Sequence, residues 1–232
     1  MAGAYVQSVT EYTGGNTAPA LTGVVGGNAL IIVNYANAGG TDPTSVASDV
    51  DGAFTKVYSG NDGGSGQMSV WWKNGVTAGS HTVTVNNGGS PINTILLEVS
   101  GLSAYVSGST LKSGFSASAS RNSVTPTTGD YILGIIANNN SDFINSMTTC
   151  TERVDMAAAR GLAVGDYTAP STSGVTVGGS LSGGSGFWLA AVLRFTVSGG
   201  GGGASGQPTT KRWGGVPGMR LGGASFGQGW VH

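Results

Sequence analysis

The sequence predicts an all-β protein: a two-sheet antiparallel sandwich, jelly-roll-like and built from two related halves, with an extended C-terminal arm. Three observations carry this. Short runs rich in Val, Ile, Thr and aromatics recur along the chain, separated by Gly, Asn, Ser and Pro. Segments of the first half return in the second. At Ser198 the pattern stops, in a run of Gly.

The strand-like runs follow in order. Ala4 to Tyr12 alternates loosely around Tyr5 and Val9. Leu30 to Tyr35 is continuously apolar, as suits a strand buried on both faces or in a sandwich core. Phe54 to Tyr58, Val70 to Trp72, Thr82 to Val85 and Thr94 to Val99 complete the first half. The second half offers Tyr131 to Ala137, Cys150 to Met156, Leu162 to Tyr167, Val175 to Leu181 and Phe187 to Val197. Asp155 to Arg160 fits one helical turn.

The halves align. Gly27-Asn28-Ala29-Leu30-Ile31-Ile32 parallels Gly129-Asp130-Tyr131-Ile132-Leu133-Gly134. The Val70-Trp71-Trp72-Lys73 run, leading through Thr82 to Val85 into Thr94 to Val99, parallels Leu162 to Tyr167, Val175 to Val177 and Phe187 to Leu193. In this alignment Val164-Gly165 replaces the Trp-Lys pair. A period near 95 residues is too long for a solenoid and suits two strand sets in one sandwich of two Greek keys. Two tandem small domains are the alternative. One body is favoured, because residues 103–122 hold no flexible linker and Leu111 and Phe115 can pack there. The expected organisation is a body of residues 1–197, with halves of about 1–102 and 123–197, a linker over 198–206 and an arm over 207–232.

Composition narrows function. The chain has 232 residues, 43 of them Gly, with 39% hydrophobic and only 9% charged residues. Gly has no three-residue period, which excludes collagen. A net charge of -1 argues against nucleic-acid binding. Two His and one Cys do not make a zinc ligand set, and no cofactor is expected. Cys150 has no intrachain partner for a disulfide and reads as a small buried hydrophobe. No apolar run is long enough to cross a bilayer, and no secretory signal is visible. A protein made in a cytoplasm, soluble or joined to an assembly there, is expected.

The arm is chemically distinct. Gly199 to Gly203 is a flexible linker composition. Beyond it, large anchors stand at intervals in a Gly-rich thread: Trp213, Val216, Leu221, Phe226 and Trp230, with Lys211, Arg212 and Arg220. Three of the ten basic residues lie in the arm and seven in the body, which holds all eleven acids. A basic arm on an acidic body suits docking to an acidic protein surface. Ordering each residue costs about 1–2 kcal/mol, with Gly at the costly end, so the arm needs a partner that supplies hydrogen bonds and pockets.

No catalytic constellation announces itself, and no enzyme is expected. Gly223-Ala224-Ser225-Phe226-Gly227 matches a nucleophile elbow but lies in the Gly-rich arm, without strand, helix or triad partners. His232 is terminal, and His81 reads as a surface or strand-edge residue. Asp49-Val50-Asp51-Gly52 reads as an Asp-Gly turn, not a calcium loop. Asn61-Asp62-Gly63-Gly64 has the same turn reading. Asn138-Asn139-Asn140-Ser141-Asp142 is a loop able to hydrogen-bond sugars. Trp71 and Trp72 should point to opposite faces of a strand, one into the core; core packing with a half-buried partner is the favoured reading, and an exposed second indole free to stack on a glycan or a neighbouring subunit is the alternative.

The segment Trp72-Lys73-Asn74-Gly75-Val76-Thr77-Ala78-Gly79-Ser80-His81-Thr82-Val83-Thr84-Val85, with Ile95-Leu96-Leu97-Glu98-Val99-Ser100-Gly101, resembles Gly/Ser/Thr-rich β-sandwich modules of tailed phages and bacterial surface proteins. Arg212-Trp213-Gly214-Gly215-Val216-Pro217-Gly218 looks like short C-terminal pieces of phage virion proteins. The resemblance implies a structural virion protein assembled in a host cytoplasm, a capsid decoration (cement) protein or a tail-associated one. Its expected partners are a major capsid protein or another virion protein, and copies of itself, without nucleic acid or membrane. The alternative is a carbohydrate-binding or adhesive tail-associated module.

Overall fold

The computed structural model describes residues 2–36, 41–61, 66–109, 112–121, 124–158 and 160–198. The first half runs β1 (Ala4–Thr13), β2 (Ala20–Val24), β3 (Ala29–Ala36), β4 (Ser45–Ser48), β5 (Gly52–Ala53), β6 (Thr55–Asn61), β7 (Gln67–Lys73), β8 (Gly79–Asn86) and β9 (Ile92–Ser100). The second runs β10 (Leu102–Gly108), β11 (Lys112–Ser116), β12 (Ser118–Arg121), β13 (Tyr131–Asn138), β14 (Ile144–Thr148), β15 (Thr151–Ala157), β16 (Gly161–Thr168), β17 (Val177–Leu181) and β18 (Gly186–Val197). All the pairings are antiparallel. The protein is an all-β sandwich.

Four sheets are present where two were expected. Each half builds its own sandwich: a main sheet, β1-β9-β3-β7-β6 or β10-β18-β13-β16-β15, and an outer sheet, β2-β8-β4-β5 or β12-β17-β14. The two main sheets then pack on each other. Side chains alternate along a strand, so each main sheet feeds two cores. Along β3, Leu30, Ile32 and Ala36 face the outer sheet, while Ile31, Val33 and Tyr35 enter the central core. Along β13, Ile132 and Ile136 face outward, while Leu133, Ile135 and Ala137 enter the central core. Every residue of β3 and β13 is buried. A half whose main sheet is apolar on both faces cannot end at two layers. The second copy covers the remaining face.

The halves repeat strand for strand. β9, β3, β7 and β6 correspond to β18, β13, β16 and β15, and β2, β8 and β4 to β12, β17 and β14. β1 corresponds to β10 and β11 together, which share β18 between them. The bulge between Lys56 and Tyr58 returns between Glu152 and Val154, and that between Tyr5 and Gln7 returns between Tyr105 and Ser107. Ala4-Tyr5-Val6 is repeated as Ala104-Tyr105-Val106, and both bulged valines are 42% exposed. The register corrects one correspondence. Trp71-Trp72-Lys73 matches Gly165-Asp166-Tyr167, because Ile31 pairs Trp72 as Leu133 pairs Asp166.

The two main sheets meet with their edges exchanged. The Arg153 guanidinium of β15 lies 5.1 Å above the Tyr5 ring of β1. At the other side, the Tyr58 ring of β6 sits so close to Gly108 of β10 that a Cβ there would stand 3.0 Å away. β1 over β15 and β10 over β6 are the same contact made twice, as in an isologous dimer.

Two local expectations change. Asp155 and Met156 continue β15, which ends at Ala157, so the helical turn is absent among the described residues; pairing with β16 overrides local helix propensity. Strands β10, β11 and β12 belong to the second sandwich, so that half begins earlier than 123. Leu111 lies outside the described residues. Phe115 does not enter the core and is 64% exposed.

Candidate functional site

All the expected partner-binding residues, Lys211, Arg212, Trp213, Val216, Arg220, Leu221, Phe226 and Trp230, lie outside the described residues, as do His232, the Gly223 to Gly227 motif and the Asp62-Gly63-Gly64 turn.

The tryptophan pair is placed as its core-packing reading expects, with one indole buried and its neighbour half-buried. The indoles do point to opposite faces, but both faces of the main sheet are covered. Trp71 is 7% exposed in the outer core, with its Nε1 donating to Ser69 Oγ at 3.1 Å and the Lys56 ammonium 5.0 Å above its ring. Trp72 is half-buried in the central core, 5.5 Å from the Phe195 ring. Trp71 therefore cannot serve as a glycan platform, and Trp72 is engaged across the junction of the halves.

His81 is buried rather than at the surface. Its Nε2–H donates to the Thr77 carbonyl at 2.8 Å, which leaves Nδ1 to accept from the Ser48 hydroxyl at 2.9 Å. Ser48 Oγ in turn accepts from the Val50 N–H, and Asp51 accepts from the Thr77 N–H and hydroxyl. In a catalytic triad a carboxylate holds the ring nitrogen remote from the serine. Here a backbone carbonyl does, and Asp51 Oδ2 lies 3.5 Å from Nδ1, on the serine side. The trio fastens the Asp49 to Gly52 turn to β8. The Thr82 N–H, donated to Asp49 Oδ1 at 2.9 Å, holds the Asp49 carboxyl below its ordinary range.

A buried Glu98 and a partly buried Arg194 fall on equivalent rungs. Glu98 faces Leu30 as Arg194 faces Ile132. Glu98 accepts from Gln7 Nε2 at 2.6 Å, the Val25 N–H at 2.8 Å and Asn28 Nδ2 at 2.6 Å. Arg194 instead pairs with Asp130, which stands where Asn28 does, and donates to the Thr125 carbonyl and the Thr127 hydroxyl. The same post is built with inverted sign. Asp166, in the place of Trp72, is paired to Arg153 at 2.7 Å. Cys150 lies buried over Gly134 and Gly165, and burial, with Asp166 nearby, pushes its thiol up to about 12. Its burial agrees with its reading from the sequence as a small buried hydrophobe.

Asp155 fastens β15 to the outer sheet. Its Oδ2 accepts from the Ile144 N–H at 2.8 Å, and its Oδ1 has no partner. Burial pushes this carboxyl up to about 6, against the pull of the Ile144 N–H. A folded value above the ordinary one means that the native chain binds the proton more tightly. This group therefore stabilises the fold at about pH 4 relative to neutrality, and that stability is lost as pH rises from about 4 to about 6. Asp155→Asn should raise the urea midpoint at pH 7, by roughly 1 kcal/mol of stability after discounting for partial exposure, and leave it unchanged near pH 4. Urea titrations at both pH values check this.

Among the described residues two surfaces stand out. A shallow groove of about 370 Å³ crosses the outer sheet of the second half, over a floor of Gly178 and Gly179 and between hydroxyl and amide side chains such as Ser118, Asn145 and Thr148. It holds no acid, imidazole or aromatic group. The second is the exposed edge-to-face pair of Phe115 and Phe187, with ring centres 4.9 Å apart, beside the Asn138 to Asp142 loop. Among the described residues no three His, Cys, Asp or Glu side chains converge to hold a metal. Both surfaces are equipped to bind by contact and hydrogen bonding. Comparison with known proteins finds no matching family model, no matching curated protein and no matching solved structure.

Proposed function

We propose that the chain is a structural virion protein, a capsid decoration or cement protein, whose arm over residues 207–232 docks it on a major capsid protein or another virion protein. The feature that supports this reading is the composition of the arm: two tryptophans, Phe226 and three cations spaced along a Gly-rich thread that carries no acid. Repeated copies on a shell bind multivalently, so each docking contact can be modest. An aromatic anchor filling a partner pocket is typically worth 2 kcal/mol or more, about thirtyfold in affinity. Trp213→Ala and Trp230→Ala should each weaken co-sedimentation with purified particles by at least tenfold, without changing the thermal midpoint of the free chain. Unchanged co-sedimentation of the double variant would count against the reading.

A further inference from the structure

We infer that the protein exchanges halves with a second copy of itself: the chain opens at Gly101, and each first sandwich packs on the second sandwich of the other copy. The inference is independent of the arm.

Gly101 alone connects the halves, since β9 ends at Ser100 and β10 begins at Leu102. Its φ of +72° turns the chain from one main sheet into the other. Gly takes this turn freely, and a Cβ would also stand 3.0 Å from the Ala2 carbonyl oxygen. The residues on both sides already run extended. With Gly101 extended as well, Ile92 to Gly108 becomes one continuous strand. The two main sheets then lie end to end along it, and their apolar faces are left for another copy. A hinge this short is the arrangement that invites exchange.

Each half moves as a unit. One apolar core, Leu21 to Leu96, lies wholly in the first half, and another, Ala119 to Val192, wholly in the second. The central core is the shared one. Its contacts re-form between copies: Trp72 on Phe195, and the Arg153 guanidinium over the Tyr5 ring. So do the bonds from Asn74 Nδ2 to the Ser103 carbonyl at 3.0 Å and from Asn93 Nδ2 to the Arg160 carbonyl at 2.6 Å. Exchange keeps the junction and alters one backbone turn. The product carries two of every surface of the body, so a weak contact with a third molecule becomes bivalent.

The junction also selects its occupant. The Ala29 and Val99 rung corresponds to the Tyr131 and Phe195 rung, and Trp72 corresponds to Asp166. Two first halves would set Trp72 against Val99 and leave a gap where Phe195 stands. Two second halves would set the Asp166 carboxylate against the Phe195 ring, and burying a charge against an apolar group is unfavourable. A first half therefore fits a second half better than either fits its own kind.

The test uses the full chain as two single variants, Asn74→Cys and Ser103→Cys, whose positions face each other across the junction. They are mixed at high concentration, warmed to the thermal midpoint, cooled and treated with a short bismaleimide. Cys150 is buried in the folded chain. Exchange brings the two introduced thiols together on different copies, so the warmed mixture should give severalfold more cross-linked dimer than either variant warmed alone. The same pair carrying Gly101→Val should cross-link without warming, because a β-branched side chain strains the closed turn and suits the extended one. Circular dichroism and sedimentation velocity verify folding and mass. The inference is overturned if the warmed mixture gives no more dimer than the single variants, or if the Gly101→Val chain is folded and stays single. Should that chain fail to fold, the warmed pair without it decides.

Discussion

Phe195→Ala is expected to destabilise the protein by about 3–5 kcal/mol, the usual cost of emptying a buried phenylalanine site. Phe195 is fully buried in the central core. Its ring contacts Tyr105 at 5.6 Å and Tyr131 at 6.4 Å within its own half, and Trp72 at 5.5 Å in the other. It thus joins the two sandwiches. Each main sheet is apolar on the face it shows its partner, so neither half is stable alone and the variant should still melt in a single transition at lower temperature. Calorimetry gives both numbers. Two resolved transitions, with only the second half shifted, would mean that the halves are independent domains.

Glu98→Leu should have an effect of similar size for a different reason. The carboxylate is fully buried and satisfies three donors, from Gln7, Val25 and Asn28. An apolar replacement of similar size preserves packing but takes the acceptor from the buried Asn28 amide and from the part-buried Val25 N–H and Gln7 amide, at about 1–3 kcal/mol for each donor left buried and unmet. We expect a loss of roughly 3 kcal/mol or more, and less than half of that for Glu98→Gln, which keeps an acceptor. Denaturant midpoints of the two variants, with equal slopes, check this. Equal losses would show that the cost lies in shape rather than in the unmet donors.

The strands with β-branched or aromatic content were legible: the Leu30 to Tyr35, Tyr131 to Ala137 and Phe187 to Val197 runs lie in β3, β13 and β18. β11, β12 and β14, with sequences KSGFS, SASR and INSMT, were not. Serine- and glycine-rich segments carry no apolar alternation, and cross-strand partners make them strands. The internal repeat was legible, but its meaning was not. A continuous apolar strand says that both faces are covered without saying by what. Here the cover is another copy of the same sandwich, so two sheets became four. The Ala4-Tyr5-Val6 and Ala104-Tyr105-Val106 repeat was available in the sequence and marks the equivalent bulges. The Asn138 to Asp142 loop was singled out, but its aromatic neighbours were not, because strand register alone brings residues 115, 139 and 187 into one row.

One reading underlies the proposed function: the body completes itself and the arm does the holding. The most direct measurement is co-sedimentation of the full chain and of a chain ending at Ser198 with particles purified from the source culture. The shortened chain should be folded, with an unchanged thermal midpoint, and should remain in the supernatant while the full chain pellets. A shortened chain that pellets with particles as well as the full one, or that fails to fold, would contradict the account.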